Sequence, residues 1–140
     1  MEVRITSNAK KVEKALKDKG KDIREGMKRA LSRTAQHGIN IIQDRMDAGK
    51  EINGRPFKPY DEKYAAFRKS RGRGTKVDLQ FTGRMRGSMT SKADDKKAKI
   101  FFTRAEEAKK AAMNNKTRPF FGFSAKEEKE LAKVFFRAIT

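Results

Sequence analysis

Apolar and charged residues alternate through Met1-Glu2-Val3-Arg4-Ile5-Thr6, the period-two pattern of a half-buried strand. Ser7 or Asn8 then offers a helix cap, and the period changes. Val12, Leu16, Ile23, Met27, Leu31, Ala35, Ile39, Ile42 and Met46 follow at separations of three, four or seven, which predicts one long amphipathic helix, bent near Gly20. From Asp22 to Met46 it would span about 37 Å at 1.5 Å per residue. That exceeds what a small core covers, so part of it is expected to pack on a neighbouring copy.

Gly49, Gly54, Pro56 and Pro59 end the helix near Gly49 and open an extended arm over residues 49–60. Tyr64, Ala65 and Phe67 suggest a short helical turn. Arg68–Lys76 holds five Lys/Arg (Arg68, Lys69, Arg71, Arg73, Lys76), two glycines and no acid, and is predicted as a mobile basic loop over residues 68–76. Val77, Leu79 and Phe81 alternate with polar residues and predict a strand, broken at Thr82-Gly83. Arg86–Phe102 is expected to form a hairpin, with Ser91–Lys97 as its polar turn. Arg104–Asn114 is helical by propensity. Arg118–Phe123 is an extended aromatic segment, and Ser124 with Glu127 forms a capping box for a last helix, Ala125–Ala138. That helix is expected to bury Leu131, Val134, Phe135 and Ala138. The predicted fold class is α+β in one domain, residues 1–140: an N-terminal strand, a long helix, an arm and basic loop, a small antiparallel sheet with a hairpin, and a C-terminal helix.

Composition narrows the chemistry. The 140 residues carry 36 Lys+Arg against 18 Asp+Glu, a net charge of +18, with hydrophobic residues at only 36%. A core that thin and a charge that large call for a polyanion or an acidic protein partner. In residues 48–103 there are 15 Lys/Arg against 6 Asp/Glu, so the middle of the chain is its most electropositive part. Cysteine is absent and His37 is the single histidine, which excludes disulfides, thiolate chemistry and a His cluster for zinc. No stretch has the ~20 apolar residues of a membrane span, and no membrane partner is expected.

Catalytic constellations are missing. His37 falls at the edge of the helix's apolar stripe and reads as a boundary residue. Asp94-Asp95 and Glu106-Glu107 are sequence neighbours whose side chains diverge, and read as solvated surface. Arg71-Gly72-Arg73-Gly74-Thr75-Lys76 lacks the spacing and the Lys-Ser/Thr order of a phosphate loop. It is either a solvated loop or a non-specific phosphate contact acting by counterion release. Phe120, Phe121, Phe123, Phe135 and Phe136 read as core or subunit interface, with a partner-binding platform as the other reading. No catalytic, cofactor or metal site is predicted, and the chain is not expected to be an enzyme.

Three separated motifs carry a resemblance. Asn53-Gly54-Arg55-Pro56-Phe57-Lys58-Pro59-Tyr60 resembles the Gly-x-Pro-Phe-x-Pro arm of the phage virion morphogenesis, or tail-completion, family, of which the Mu gpG-like proteins are examples. Thr82-Gly83-Arg84-Met85-Arg86-Gly87-Ser88 is similar to that family's Thr-Gly-x-Leu-x-x-Ser step, with Met85 for Leu. Arg118-Pro119-Phe120-Phe121-Gly122-Phe123-Ser124 is similar to its Arg-Pro-Phe-Leu-Gly-x-Ser lead into the last helix. The likeness extends to the wider group of head–tail joining neck proteins. It implies a structural virion protein of a tailed phage or prophage-derived particle, made in the host bacterial cytoplasm and sited at the neck or tail end. Its implied partners are further copies in a hexameric or dodecameric ring and other neck or tail proteins (connector, tail terminator or tail tube), with a non-specific contact to packaged DNA through Arg68, Lys69, Arg71, Arg73 and Lys76. The implied interface residues are Gly54, Pro56, Phe57, Pro59, Thr82, Gly83, Met85, Ser88, Arg118, Pro119, Phe120, Phe121 and Gly122. The alternative, resting on charge alone, is a small basic nucleic-acid-binding module.

Overall fold

The structure, a computed structural model, describes residues 1–6, 21–79 and 83–139. Among these, β1 (Glu2–Thr6) is followed by α1 (Lys21–Ala48), α2 (Glu62–Ser70), the one-turn α3 (Arg84–Gly87), β2 (Met89–Ala93), β3 (Lys97–Phe102), α4 (Ala105–Thr117) and α5 (Ala125–Ile139). This is the α+β arrangement expected from the sequence. Ser7, Asn8, Val12, Leu16, Gly20, Phe81 and Thr82 lie outside the described residues.

The three strands form an antiparallel sheet in the order β1-β3-β2, with Val3 opposite Ile100 and Ser91 opposite Ile100 on its other side. Strand alternation puts Ala98, Ile100 and Phe102 of β3 on the buried face. Against that face lies α1, whose Leu31, Ala35, Ile39, Ile42 and Met46 are buried as their spacing predicts, while α5 packs along α1 with Leu131 and Phe135. Val134 and Ala138 are only partly buried. Gly38 sits mid-helix where a Cβ would come within 2.8 Å of the Phe123 ring and 3.1 Å of Ile100 Cδ1. The helix can approach the sheet there only because that position has no side chain.

Several boundaries differ from expectation. The helical turn at Tyr64–Phe67 is a full helix, capped by Asp61 Oδ1, which accepts from the Tyr64 N–H at 2.7 Å. Val77–Leu79 is irregular rather than a strand, because Leu79 takes a left-handed φ of 63° that no ladder accommodates. Gly83, at φ 79°, turns the chain into α3, where Gly87 N–H bonds the Gly83 carbonyl and Ser88 N–H bonds that of Arg84. The hairpin therefore starts at Met89 rather than Arg86. Its turn is shorter than Ser91–Lys97, since Asp94 Oδ1 accepts from the N–H of both Lys96 and Lys97 at 2.8 Å and lets both strands run to the corner. Those two bonds hold the Asp94 carboxyl below its usual range. No helix among the described residues is long and apolar enough to cross a membrane.

Candidate functional site

The motifs at 53–60, 83–88 and 118–124 are far apart in sequence and meet in one place. Proline forbids regular structure in the arm, so its backbone groups need partners elsewhere. Arg118 supplies them: its Nε donates to the Lys58 carbonyl at 2.7 Å and its second terminal nitrogen to the Pro59 carbonyl at 3.0 Å. Ile52 N–H donates to the Pro119 carbonyl at 3.0 Å, and Phe57 N–H to the Gly49 carbonyl at 2.8 Å. Phe57 is buried and anchors the arm, Pro56 pairs with Lys50 in a β-bridge, and Gly54, at φ 85°, turns the exposed tip.

The Arg118–Ser124 segment is pinned from three further sides. Asn115 Oδ1 accepts from the N–H of both Phe120 and Phe121 at 3.0 Å. Arg45, reaching over from α1, donates to the Phe120 carbonyl at 3.0 Å, to the Gly122 carbonyl, and to Glu127 Oε2 at 2.9 Å. Burial lowers the Arg45 pKa, and the Glu127 carboxylate opposes that shift. The capping box closes as predicted: Ser124 N–H donates to Glu127 Oε1 at 2.9 Å and Glu127 N–H to Ser124 Oγ at 3.2 Å. Phe120 and Phe121 are buried and Phe123 partly so, but Phe136 of α5 is 53% exposed. Ser88 is buried and donates its hydroxyl to the Met85 carbonyl at 3.0 Å, while Met85 fills the core beneath it.

Between α2, α3 and α4 lies a cleft of about 470 Å³, lined by Tyr60, Tyr64, Arg68, Met85, Glu107 and Arg118 among others. Tyr60 stands between two guanidiniums, with Arg68 Cζ 4.9 Å and Arg118 Cζ 5.0 Å from its ring centre. Burial raises the Tyr60 pKa; the Arg68 charge and a hydrogen bond from the Leu79 backbone act in the opposite sense. Because the folded state favours the protonated phenol, its contribution to stability is complete below the ordinary value of 10.0 and is lost as pH rises through the shifted one. In an alkaline spectrophotometric titration Tyr60 is expected to ionise later in the folded chain than in denaturant. Tyr60→Phe should remove the late step, and a late step that survived would overturn this assignment.

Two expectations are corrected here. Arg68–Lys76 is not a loop without internal anchors: Arg68–Ser70 complete α2, and Arg68 is 3% exposed. Its Nε donates to the Gly74 carbonyl at 2.8 Å, its terminal nitrogen lies 3.9 Å from Asp78, and its own carbonyl accepts from Arg73 N–H at 2.8 Å. Lys76 reaches the Asp47 carbonyl. Lys69, Arg71 and Arg73 remain on the surface, but Arg68 is a structural residue that organises the loop. Glu107 is likewise not solvated like Glu106; it is 2% exposed in the cleft, with Lys110 Nζ at 3.3 Å. His37 bridges to Glu130 of α5 at 2.9 Å, a contact at the edge of the apolar stripe. Among the described residues no three His, Asp or Glu side chains are grouped to hold a metal.

Arg45 and Asn115 were not marked by any sequence motif. A long-range basic residue inside an otherwise apolar stripe was the available sign for Arg45; Asn115 carried none. Compared with protein-family models, curated proteins and solved structures, the chain matches none.

Proposed function

We propose that this protein is a non-enzymatic structural subunit of a tailed phage or prophage-derived particle, acting in tail completion or head–tail joining as part of a ring. The observation that carries this reading is the union of the three motifs behind the family resemblance. Arg118 and Pro119 of the third hold the backbone of the first, and Gly83 and Met85 of the second line the cleft that Tyr60 and Arg118 share. Polar side chains at this junction are engaged with main-chain carbonyls and with one another. Such groups fix the shape of a subunit rather than act on a substrate.

Self-association has a surface to use. A groove of about 610 Å³ between β1 and α5 is lined by Val3, Ile5, Leu31, Leu131, Phe135 and Phe136. Phe136 at its rim is 53% exposed, and among the described residues β1 stands at the edge of the sheet. Exposed apolar side chains beside a sheet edge favour a protein neighbour. Sedimentation of the full chain tests the reading: a discrete hexamer or dodecamer is expected, with Phe136→Glu shifting it toward the monomer. A chain that stayed monomeric at all concentrations, alone and with purified tails, would overturn it.

A further inference from the structure

The outer face of the sheet carries a row of positive charge that folding does not require. The alternation that turns Ala98, Ile100 and Phe102 of β3 inward turns Lys97, Lys99 and Phe101 the other way. The register completes the row: Arg4 of β1 stands opposite Lys99 on one side, and Lys92 of β2 stands opposite it on the other. Three cations thus lie side by side across the three strands, about 10 Å from end to end at the ~4.8 Å spacing of neighbouring strands. Lys97 follows on the same face of β3, opposite Thr6. Arg4, Lys92 and Lys97 are exposed, and Lys99 is half-buried.

Like charges directly opposite one another weaken a sheet, and lysine is a poor strand former. Protection of sheet edges against pairing with other chains accounts for Arg4 on β1 and Lys92 on β2. It does not account for Lys97 and Lys99, which sit on the central strand. Nearby acids leave the row positive. Among the strand residues of this face the one acid is Glu2, whose carboxylate is shared between Arg4 Nε at 2.7 Å and Lys99 Nζ at 3.8 Å. Asp94 and Asp95 stand at the hairpin corner, where Lys96 adds a further cation and Asp94 accepts from the N–H of Lys96 and Lys97.

We propose that the outer face of the sheet is a docking surface for the phosphate backbone of duplex DNA, with Arg4, Lys99 and Lys92 set across it and Lys97 beside them. A nucleic-acid backbone repeats its negative charge about every 3.4 Å along each strand, so it meets a row of point charges without a shaped pocket. A protein partner fits the face less well, because lysine is depleted where proteins meet. Base stacking is not asked of it: Phe101, the aromatic residue of this face, lies 5.8 Å from Lys99 Nζ, and the contact is to the backbone alone. The surface does not rest on the assembly reading. A monomer that bound duplex through this face would overturn the ring and leave the face standing.

Anisotropy titration of the full chain with a labelled random-sequence duplex, repeated over a series of salt concentrations, tests this. Lys92→Gln/Lys99→Gln removes two phosphate contacts and should lower the slope of log affinity against log salt by about 1.8, at ~0.9 per contact. Acting over the decade below about 1 M, that change weakens binding at about 0.1 M salt by roughly 60-fold. Lys92→Arg/Lys99→Arg should keep the slope. Lys129→Gln/Lys133→Gln, which removes two exposed cations from α5, should keep it as well. In low salt the denaturation midpoint of Lys92→Gln/Lys99→Gln should hold or rise, because in-register repulsion is relieved. No binding by the unaltered chain, or equal loss of slope in the sheet and α5 variants, would overturn the site. So would a fall in that midpoint, which would assign the lysines to the fold, or binding of polyglutamate as tight as that of the duplex.

Discussion

Phe120→Ala is expected to destabilise the chain by about 3–5 kcal/mol, the range for removing a fully buried aromatic ring. The upper half of that range is favoured by what surrounds it. Phe120 has no exposed surface, and its ring lies 6.0 Å from that of Phe121, which in turn is 5.1 Å from Phe102 of β3. A cavity costs most where the site cannot collapse. Here the backbone is held on both sides, by Asn115 at the Phe120 N–H and by Arg45 at its carbonyl, so the chain cannot move inward to fill the space. Domains are stable by only about 5–15 kcal/mol, and a loss of this size would bring many of them close to unfolding at ambient temperature. Denaturant titration checks it: the midpoint should fall with the slope unchanged, and Phe120→Leu should recover a large part of the loss. A Phe120→Ala variant as stable as the parent would mean that the Arg-Pro-Phe-Phe segment is not packed as described.

The elements that could be read from the sequence are those whose signal is local. Val3 and Ile5 announced β1 by alternation, Leu31 to Met46 announced the long helix by its stripe, and Ser124 with Glu127 marked the start of α5. Each pattern needs only a few neighbouring residues and one buried face. What stayed hidden depends on partners distant in sequence. Nothing in Arg68–Lys76 tells that Arg68 turns inward, because the tyrosine it stacks on and the Asp78 it approaches are supplied by the arm and by the irregular segment after the loop. Glu107 looked identical to Glu106 until the cleft placed it on the inner side of α4. Gly83 carries the positive φ of a turn glycine, but a left-handed glycine can open either a strand or a helical turn, and the i to i−4 bonds of Gly87 and Ser88 decide for the turn. The candidate site followed the same division: its motifs were legible one by one, and their convergence through Arg118 was not.

Arg45→Met is expected to cost about 2–3 kcal/mol, below the range for removing one member of a fully buried ion pair because this pair is part-buried. Its side chain is 12% exposed and that of Glu127 16%, so solvent screens the pair in part. The loss has two parts. Glu127 keeps a partly buried carboxylate without its counterion, and the Phe120 and Gly122 carbonyls lose their donor just where the chain is extended and has no ladder to replace it. Glu127→Gln separates the two, because a glutamine still accepts from Ser124 N–H in the capping box while removing the charge. It should cost clearly less than Arg45→Met. In the double variant Arg45→Met/Glu127→Gln the stranded carboxylate no longer exists, so its destabilisation should fall short of the sum of the single effects by about 0.5–3 kcal/mol, the usual size of coupling between contacting groups. The residue that persists in the double variant measures the carbonyl bonds alone. Strict additivity in this cycle, read from denaturation midpoints of the four proteins, would show that Arg45 acts only on the backbone and that the ion pair to α5 contributes nothing.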